Sequence, residues 1–173
     1  MSLIETMLSR RSIRHYSQEA IPEDKLRRIL QAGLLAPSSR YLKPCQFYVI
    51  RNQNTLKDLS QTKTMGAAML KNCNAAIAVI GDSEKADTWI EDSSIALSYM
   101  MLMAEDQRIG SCWCQIHLRT SAEGTDAEET VRNILGIDRH MRIVGILALG
   151  VSDKKTPAHS LDELNWDIVH YVE

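Results

Sequence analysis

The longest predicted helix of the chain restricts its fold more than any other feature. Residues 87–108 form this helix, and its apolar side chains are Trp89, Ile95, Ala96, Tyr99, Met100, Leu102 and Met103. These positions spread too widely around a helix to form one narrow stripe, so we expect the helix to be buried on several sides. Residues 75–80 are almost uniformly apolar and of strand length, which predicts a strand in the interior of a sheet.

The other segments alternate between helix and strand patterns. Helices are predicted at residues 2–9, from Pro22 to a point before Pro37, as two short pieces between residues 56 and 70, and at residues 128–135, ending at Gly136. Strands are predicted at residues 46–50, 111–118 and 142–149. The alternation predicts an α+β or mixed α/β fold with one sheet flanked by helices. No repeat or linker divides the chain, so we expect one domain over residues 1–173.

Composition and charge argue against several classes of protein. Lys and Arg number 20 and Asp and Glu number 22, so the net charge is −2, and aromatic residues make up only 5%. Both values disfavour a nucleic-acid-binding surface. No apolar run approaches the ~20 residues of a membrane-spanning helix, and the N-terminal residues lack the order of a signal peptide. Four cysteines in 173 residues do not make a disulfide scaffold. We expect a reduced, cytoplasmic protein without a nucleic-acid or membrane partner.

Two polar segments are candidate binding sites. Residues 10–16 read R-R-S-I-R-H-Y, with three arginines and a serine within five residues directly after a predicted helix. Guanidinium groups and a hydroxyl suit a phosphate monoester, although composition alone favours a solvated basic turn. Residues 36–44 read A-P-S-S-R-Y-L-K-P and form a stiff polar loop between a helix and a strand. This setting is typical of a binding loop and also of an ordinary connection.

Two later segments carry cysteines and lysines. Cys112 and Cys114 lack the second pair of ligands that a zinc site needs, so we expect no metal and interpret them as small buried residues. Lys154 and Lys155 follow the last predicted strand and either add positive charge to an anion site or form a surface turn. Neither a P-loop nor a dinucleotide-binding glycine motif occurs. The histidines show no catalytic pattern, and we predict no catalytic side chain.

Taken in their order along the chain, these segments resemble the nitroreductase family of FMN-dependent flavoproteins. The resemblance runs from about Ile4 to Tyr171. It rests on R-R-S-I-R-H-Y at residues 10–16, A-P-S-S at 36–39 followed by Pro44, W-I-E-D at 89–92, G-S-C-W at 110–113 and I-V-H-Y at 168–171. Tyr41 stands where the family usually has Asn, and Lys43-Pro44-Cys45 stands in place of Gln-Pro-Trp.

The resemblance implies an α+β fold with a central, mostly antiparallel sheet flanked by helices and completed by homodimerisation. It implies two FMN sites at the dimer interface, each built from both subunits. In that arrangement Arg10, Arg11 and Ser12 hold the phosphate together with a C-terminal lysine, and Arg14 lies near the flavin ring. The loop that contains Ser38 and Ser39 comes from the neighbouring subunit. The implied cofactor-binding residues are Arg10, Arg11, Ser12, Arg14, Pro37, Ser38, Ser39, Arg40, Met65, Trp113, Cys114, Gln115, Gly150, Lys154 and Lys155.

The implied activity is that of an FMN-dependent oxidoreductase. It takes hydride from NADH or NADPH and reduces a nitro-aromatic, a quinone or a similar small acceptor by a ping-pong mechanism. No general acid or base is required, because flavin and water supply the protons. One alternative is a flavin-consuming or dehalogenating enzyme on the same scaffold, which the residues of the substrate cleft, Tyr41 above all, would decide. Another is a non-catalytic flavin-binding or redox-sensing protein, which slow or absent reoxidation would identify.

Overall fold

The order and register of the strands fix where the candidate segments lie. In the computed structural model, which describes residues 2–152 and 156–173, the strands are β1 (Cys45–Ile50), β2 (Ala75–Asp82), β3 (Gly110–Gln115) and β4 (Met141–Gly150). They lie in the order β1-β2-β4-β3, and each neighbouring pair is antiparallel. The predicted α+β fold with a central antiparallel sheet is confirmed.

Helices cover both faces of the sheet. The α-helices are α1 (Leu3–Ser9), α2 (Glu23–Leu35), α3 (Gln53–Leu59), α4 (Trp89–Asp106) and α5 (Ala127–Leu135). One apolar core joins α2 and α4 to the sheet through Leu26, Leu97 and Leu147. A second core, on the other face, joins α3, α5 and the 3₁₀ helix Ala68–Asn72 to the sheet. Residues 75–80 are fully covered, as their uniform apolarity predicts.

Local signals determine several helix and strand ends. Ser2 and Glu5 cap α1 reciprocally, with Ser2 N–H donating to Glu5 Oε2 at 2.7 Å. Gly136 ends α5 at φ +66°, a backbone conformation that favours glycine. β3 ends at Gln115 and not at the predicted residue 118, because the N–H groups of residues 116 and 117 both donate to the Val144 carbonyl.

Helix α4 is buried along its core-facing side and partly exposed elsewhere. Its core-facing side chains, Leu97 and Met100 among them, are fully buried, but Tyr99 remains 43% exposed and Ile90 is also exposed. One chain therefore leaves part of the apolar surface of α4 uncovered. Among the described residues, no helix has the length and apolarity needed to cross a bilayer.

Candidate functional site

The arginine-rich segment is fastened to the edge strand β3. It follows the C-terminus of α1, and Ser12 forms a parallel bridge with Ser111. Ile13 donates its N–H to the Ser111 carbonyl at 2.9 Å. Helix α1 and β3 thus fix the position of residues 10–14, which we call the anion cradle.

Glycines allow the cradle to approach the sheet closely. A Cβ atom on Gly110 would lie 2.9 Å from Cγ2 of Ile13, and one on Gly150 would lie 2.5 Å from the Tyr16 ring. Tyr16 donates its hydroxyl to the Ile13 carbonyl at 2.6 Å, and its burial raises the pKa of the phenol. The absence of a side chain at Gly150 therefore leaves room for the Tyr16 ring, which packs against the cradle and is hydrogen-bonded to it.

One buried donor of the cradle has no acceptor in the part of the chain that the structure describes. Nη1 of Arg10 is buried and has no hydrogen-bond partner among the described residues. A buried polar group without a partner costs stability, about 1–3 kcal/mol. A cleft of about 170 Å³ opens beside the cradle and is lined by Ser12, Ile13, Arg14, His15 and Thr156. A phosphate group has the charge and the acceptor oxygens that such a donor needs.

The other cradle arginines have neighbours within the chain. Arg11 donates to the carbonyl of Pro157, so the segment after residue 156 crosses the cradle on that side. Arg14 is exposed and donates to the Ser12 carbonyl at 3.3 Å. Among the described residues, Arg10 is therefore the cradle arginine with a buried donor left unpaired. Lys154 and Lys155, the predicted partners for the phosphate, lie outside the described residues.

The two cysteines of β3 are buried on one face of the sheet. Burial raises the pKa of the Cys112 thiol, and Arg14, Ser12, Lys63 and Arg10 oppose that rise. Burial likewise raises the pKa of Cys114 to about 11, so this thiol is protonated at neutral pH. The prediction that these cysteines are small buried residues is confirmed.

Lys63 is a second cation at this edge, and the sequence analysis did not identify it. Its ammonium group donates to the Gln115 carbonyl at 2.7 Å. Met65, two residues further on, is 81% exposed. The carbonyl of Gly66 accepts a hydrogen bond from the Cys114 thiol at 3.4 Å. The Trp113 indole donates to Oε1 of Gln115 at 3.0 Å. At this edge of the sheet, Met65 therefore lies beside Trp113, Cys114 and Gln115 of β3.

The serine loop, residues 37–43, is held at the start of α4. Ser39 N–H donates to Oδ1 of Asp92 at 3.0 Å, and Arg40 forms an ion pair with Asp87. Arg40, Tyr41 and Lys43 have φ values of +52°, +57° and +45°. Such left-handed backbone costs on the order of 1–3 kcal/mol for each non-glycine residue, and it occurs most often at functional sites.

The cradle and the serine loop lie on opposite sides of the folded subunit. The loop contacts Asp92 near the start of α4, whereas a cleft beside the cradle is lined by Glu105 and Arg108 at its end. A helical rise of about 1.5 Å per residue separates Asp92 from Glu105 by roughly 20 Å. In the sheet, the loop precedes β1 and the cradle adjoins β3, which are the two edge strands. One chain therefore does not bring the two segments together.

A buried carboxylate lies beneath the far end of the sheet. Glu128, 2% exposed, accepts from Nε of Arg142 at 2.9 Å, from the Ile143 N–H at 3.0 Å, and contacts Nδ1 of His117 at 2.5 Å. Burial alone would raise the pKa of Glu128, but these hydrogen bonds outweigh it and lower the pKa. The cluster ties α5 to β4 and lies away from the cradle. No local sequence pattern points to this cluster, because His117 and Ile143 lie 11 and 15 residues from Glu128.

Comparison with known proteins assigns this chain to one class of enzyme. The family model of the nitroreductase family matches residues 7–151. The chain therefore belongs to the nitroreductase family and, with it, to the oxidoreductases.

Individual relatives agree with this assignment. A protein of Archaeoglobus fulgidus, provisionally named NADH dehydrogenase/NAD(P)H nitroreductase, is 33% identical and is covered over 95% of its length by 96% of this chain. The NADH dehydrogenase of Thermus thermophilus is 28% identical, with 89% of each chain covered. The solved structure of an FMN-dependent nitroreductase from Clostridium difficile R20291 is similar with a TM-score of 0.95 and 38% identity, covering 98% of this chain and 99% of that one.

Proposed function

We propose that this protein is an FMN-dependent oxidoreductase that uses NADH or NADPH and reduces a nitro-aromatic, a quinone or a similar small acceptor. Bound FMN would supply the hydride chemistry, accepting from the nicotinamide and passing electrons to the acceptor in a ping-pong sequence. The chain's own residues would bind and orient the cofactor. The FMN-dependent relative at 38% identity supports this cofactor.

The observation that carries the proposal is the buried Nη1 of Arg10, which has no acceptor among the described residues. A terminal phosphate satisfies it, and the hydroxyl of Ser12 lies within the same short segment. We assign Arg11 and a C-terminal lysine, Lys154 or Lys155, to the outer side of the phosphate. A diphosphate such as that of FAD is usually bound at a glycine-rich helix start, and the sequence lacks that motif.

The remaining residues have roles that follow from their positions. Arg14, the last residue of the cradle, is exposed, and we assign it to offset negative charge on the flavin ring. The backbone of Trp113, Cys114 and Gln115, with Met65 beside it, forms the edge that we propose for the reacting side of the ring. The thiols take no part, because burial raises the pKa of both and keeps them protonated.

We further propose that the active form is a homodimer with two shared sites. Pro37, Ser38, Ser39 and Arg40 lie far from the cradle of their own chain, so a second copy is the source that brings such a loop to it. Apolar surface also remains uncovered: Trp166 is 65% and Tyr171 is 83% exposed. A cleft of about 560 Å³ between α1, α2 and α4 is lined by Leu3, Met7, Leu35, Tyr99, Leu102 and Met103. Exposed patches of this kind are typical of protein–protein contacts.

The absorption spectrum of the purified protein, followed by anaerobic titration with NADH and with NADPH, tests the proposal. We expect a bound flavin that chromatography identifies as FMN and that one of the nicotinamides bleaches rapidly. Recovery of FAD, or a protein that binds no FMN when it is added, would contradict the cofactor assignment. A flavin that is reduced but not reoxidised by nitro-aromatic or quinone acceptors would favour a flavin-binding or redox-sensing role.

A further inference from the structure

Asp92 is a buried carboxylate that is hydrogen-bonded to a residue distant in the sequence. It is 4% exposed, its Oδ1 accepts from the Ser39 N–H at 3.0 Å, and its Oδ2 accepts from the Thr88 hydroxyl at 3.2 Å. Asp92 and Ser39 are 53 residues apart in sequence. Among the ion pairs of the described residues, none involves Asp92. A carboxylate is rarely buried without a paired charge, so helix capping alone does not explain the burial of Asp92.

The loop that Asp92 holds is one that would not keep its shape alone. Arg40, Tyr41 and Lys43 all have left-handed backbone, which L-residues adopt only when their surroundings impose it. Within the loop, Lys43 N–H donates to Oγ of Ser38 at 2.9 Å. The Ser39–Asp92 hydrogen bond connects this strained turn to the rigid first turn of α4.

We infer that Asp92 is a positioning residue, which presets the serine loop of one subunit so that it fits the FMN bound in the cradle of its partner. The inference rests on the proposed function, because it presumes a shared FMN site. Asp92 itself is buried behind the loop and acts through Ser39. Without it, the loop would sample relaxed conformations and would bind the cofactor only from the fraction that has the correct shape.

Asp92 also has a local stabilising effect that does not depend on the loop. An acidic residue in the first turn of a helix is favoured by the helix dipole whether or not it holds a loop. Glu91 lies in the same turn of α4 and is exposed, so it shares the dipole but not the buried position. Glu91→Ala is therefore a matched control for Asp92→Ala.

The first experiment measures the dissociation constant of FMN for apo protein by fluorescence quenching. We expect Asp92→Ala to weaken FMN binding by roughly 10- to 100-fold, the range for loss of one charge-assisted hydrogen bond. Asp92→Asn, which keeps an oxygen acceptor for Ser39, should lose less, and Glu91→Ala should stay within about threefold of the wild type. FMN binding by Asp92→Ala at wild-type strength would overturn the inference.

A second pair of variants avoids changing a buried residue. Ser39→Pro deletes the N–H that Asp92 accepts, and the extended backbone of Ser38, φ −137° and ψ 150°, is the conformation favoured before proline. Ser39→Ala removes the same hydroxyl and keeps the N–H. We expect Ser39→Pro to bind FMN at least tenfold more weakly than Ser39→Ala. Equal binding by the two variants would overturn the inference even if Asp92→Ala fails to fold.

Mixed dimers give a readout that a merely structural defect would not produce. Subunits carrying Arg10→Met and subunits carrying Asp92→Ala, each with its own affinity tag, are coexpressed and the doubly tagged dimer is isolated. One of its sites combines both defects, and the other combines the intact cradle of the Asp92→Ala subunit with the intact loop of its partner. We expect one FMN per dimer at wild-type affinity, although both parent homodimers bind weakly.

The outcomes distinguish failure of the inference from failure of the proposed function. Uniformly weak binding in the mixed dimer would show that Asp92 acts within its own chain, which overturns the inference and leaves the FMN site in place. A wild-type protein that does not bind FMN would instead refute the proposed function.

Discussion

Substitution of Arg10 by Met should weaken FMN binding without lowering the stability of the apo protein. Met keeps an unbranched apolar side chain and deletes the buried Nη1, which has no partner among the described residues. Relief of an unpaired buried donor is worth up to about 1–3 kcal/mol, but Arg10 is only half-buried, and the methylene groups of an arginine contribute packing of their own. We therefore expect the free energy of unfolding of the apo protein to stay level or to rise by up to about 1 kcal/mol.

FMN should stabilise this variant far less than it stabilises the wild type. At an FMN concentration one hundred times the wild-type dissociation constant, binding adds about 2.7 kcal/mol to the free energy of unfolding. A 10- to 100-fold loss of affinity, as expected for a charge-assisted phosphate contact, leaves roughly 1.4 to 0.4 kcal/mol by the same relation. Urea unfolding with and without FMN measures both quantities on one sample.

Arg11→Met is the matched control, because Arg11 donates to the Pro157 carbonyl within the chain. We expect its apo form to be no more stable than the wild type and its loss of FMN affinity to be smaller than that of Arg10→Met. An Arg10→Met protein that is clearly destabilised as apo protein, yet gains the full FMN increment, would refute the assignment of Arg10 to the phosphate. The phosphate site would then have to lie elsewhere.

Three further predictions concern stability, the thiols and assembly. The lowered pKa of Glu128 means that its contribution to stability is present above its ordinary pKa of 4.5 and is lost as the pH falls through the folded-state pKa. Glu128→Gln should therefore be less stable than the wild type at pH 7. Thermal unfolding measured across the acidic range should show a melting temperature that depends less on pH in this variant than in the wild type. Cys112→Ser combined with Cys114→Ser should lower the melting temperature more than the rate of flavin reduction at full FMN occupancy, and a rate loss beyond about a hundredfold would assign the thiols a chemical role. Light scattering should give a dimer, and a monomer that keeps its FMN would contradict the shared site.

The sequence predicted those parts of the molecule that depend on local patterns. The apolar run at residues 75–80 specifies a central strand by itself, and Pro22 and Gly136 mark helix ends through their own backbone preferences. The arginine cluster was visible for the same reason, since its members are adjacent. Its attachment to β3 was not, because the bridge joins Ser12 to Ser111 across a long stretch of chain.

Contacts between distant residues account for what the sequence did not disclose. The W-I-E-D segment contained Asp92, but nothing in it indicates that the carboxylate meets Ser39, since this pairing depends on the turn that precedes β1. Lys63 similarly lies in an irregular segment without periodicity, and only the packing of that segment on β3 places its ammonium group at the Gln115 carbonyl. Tyr99 of α4 remains exposed in one chain, because a sequence pattern shows that apolar surface must be covered but not which chain covers it.

Incomplete burial and the proposed shared site point to the same physical coupling. The uncovered apolar residues of α1, α4 and the C-terminal segment disfavour an isolated chain, and the roughly 20 Å between Asp92 and Glu105 along α4 keeps the serine loop of that chain away from its own cradle. If a second copy supplies both the missing cover and the missing loop, then FMN binds the dimer and not the monomer. Mass action then requires FMN to strengthen subunit association by the same factor by which association strengthens FMN binding. The apparent FMN affinity should consequently fall when the protein is diluted below its dimer dissociation constant, whereas a site contained in one chain would show no such dependence.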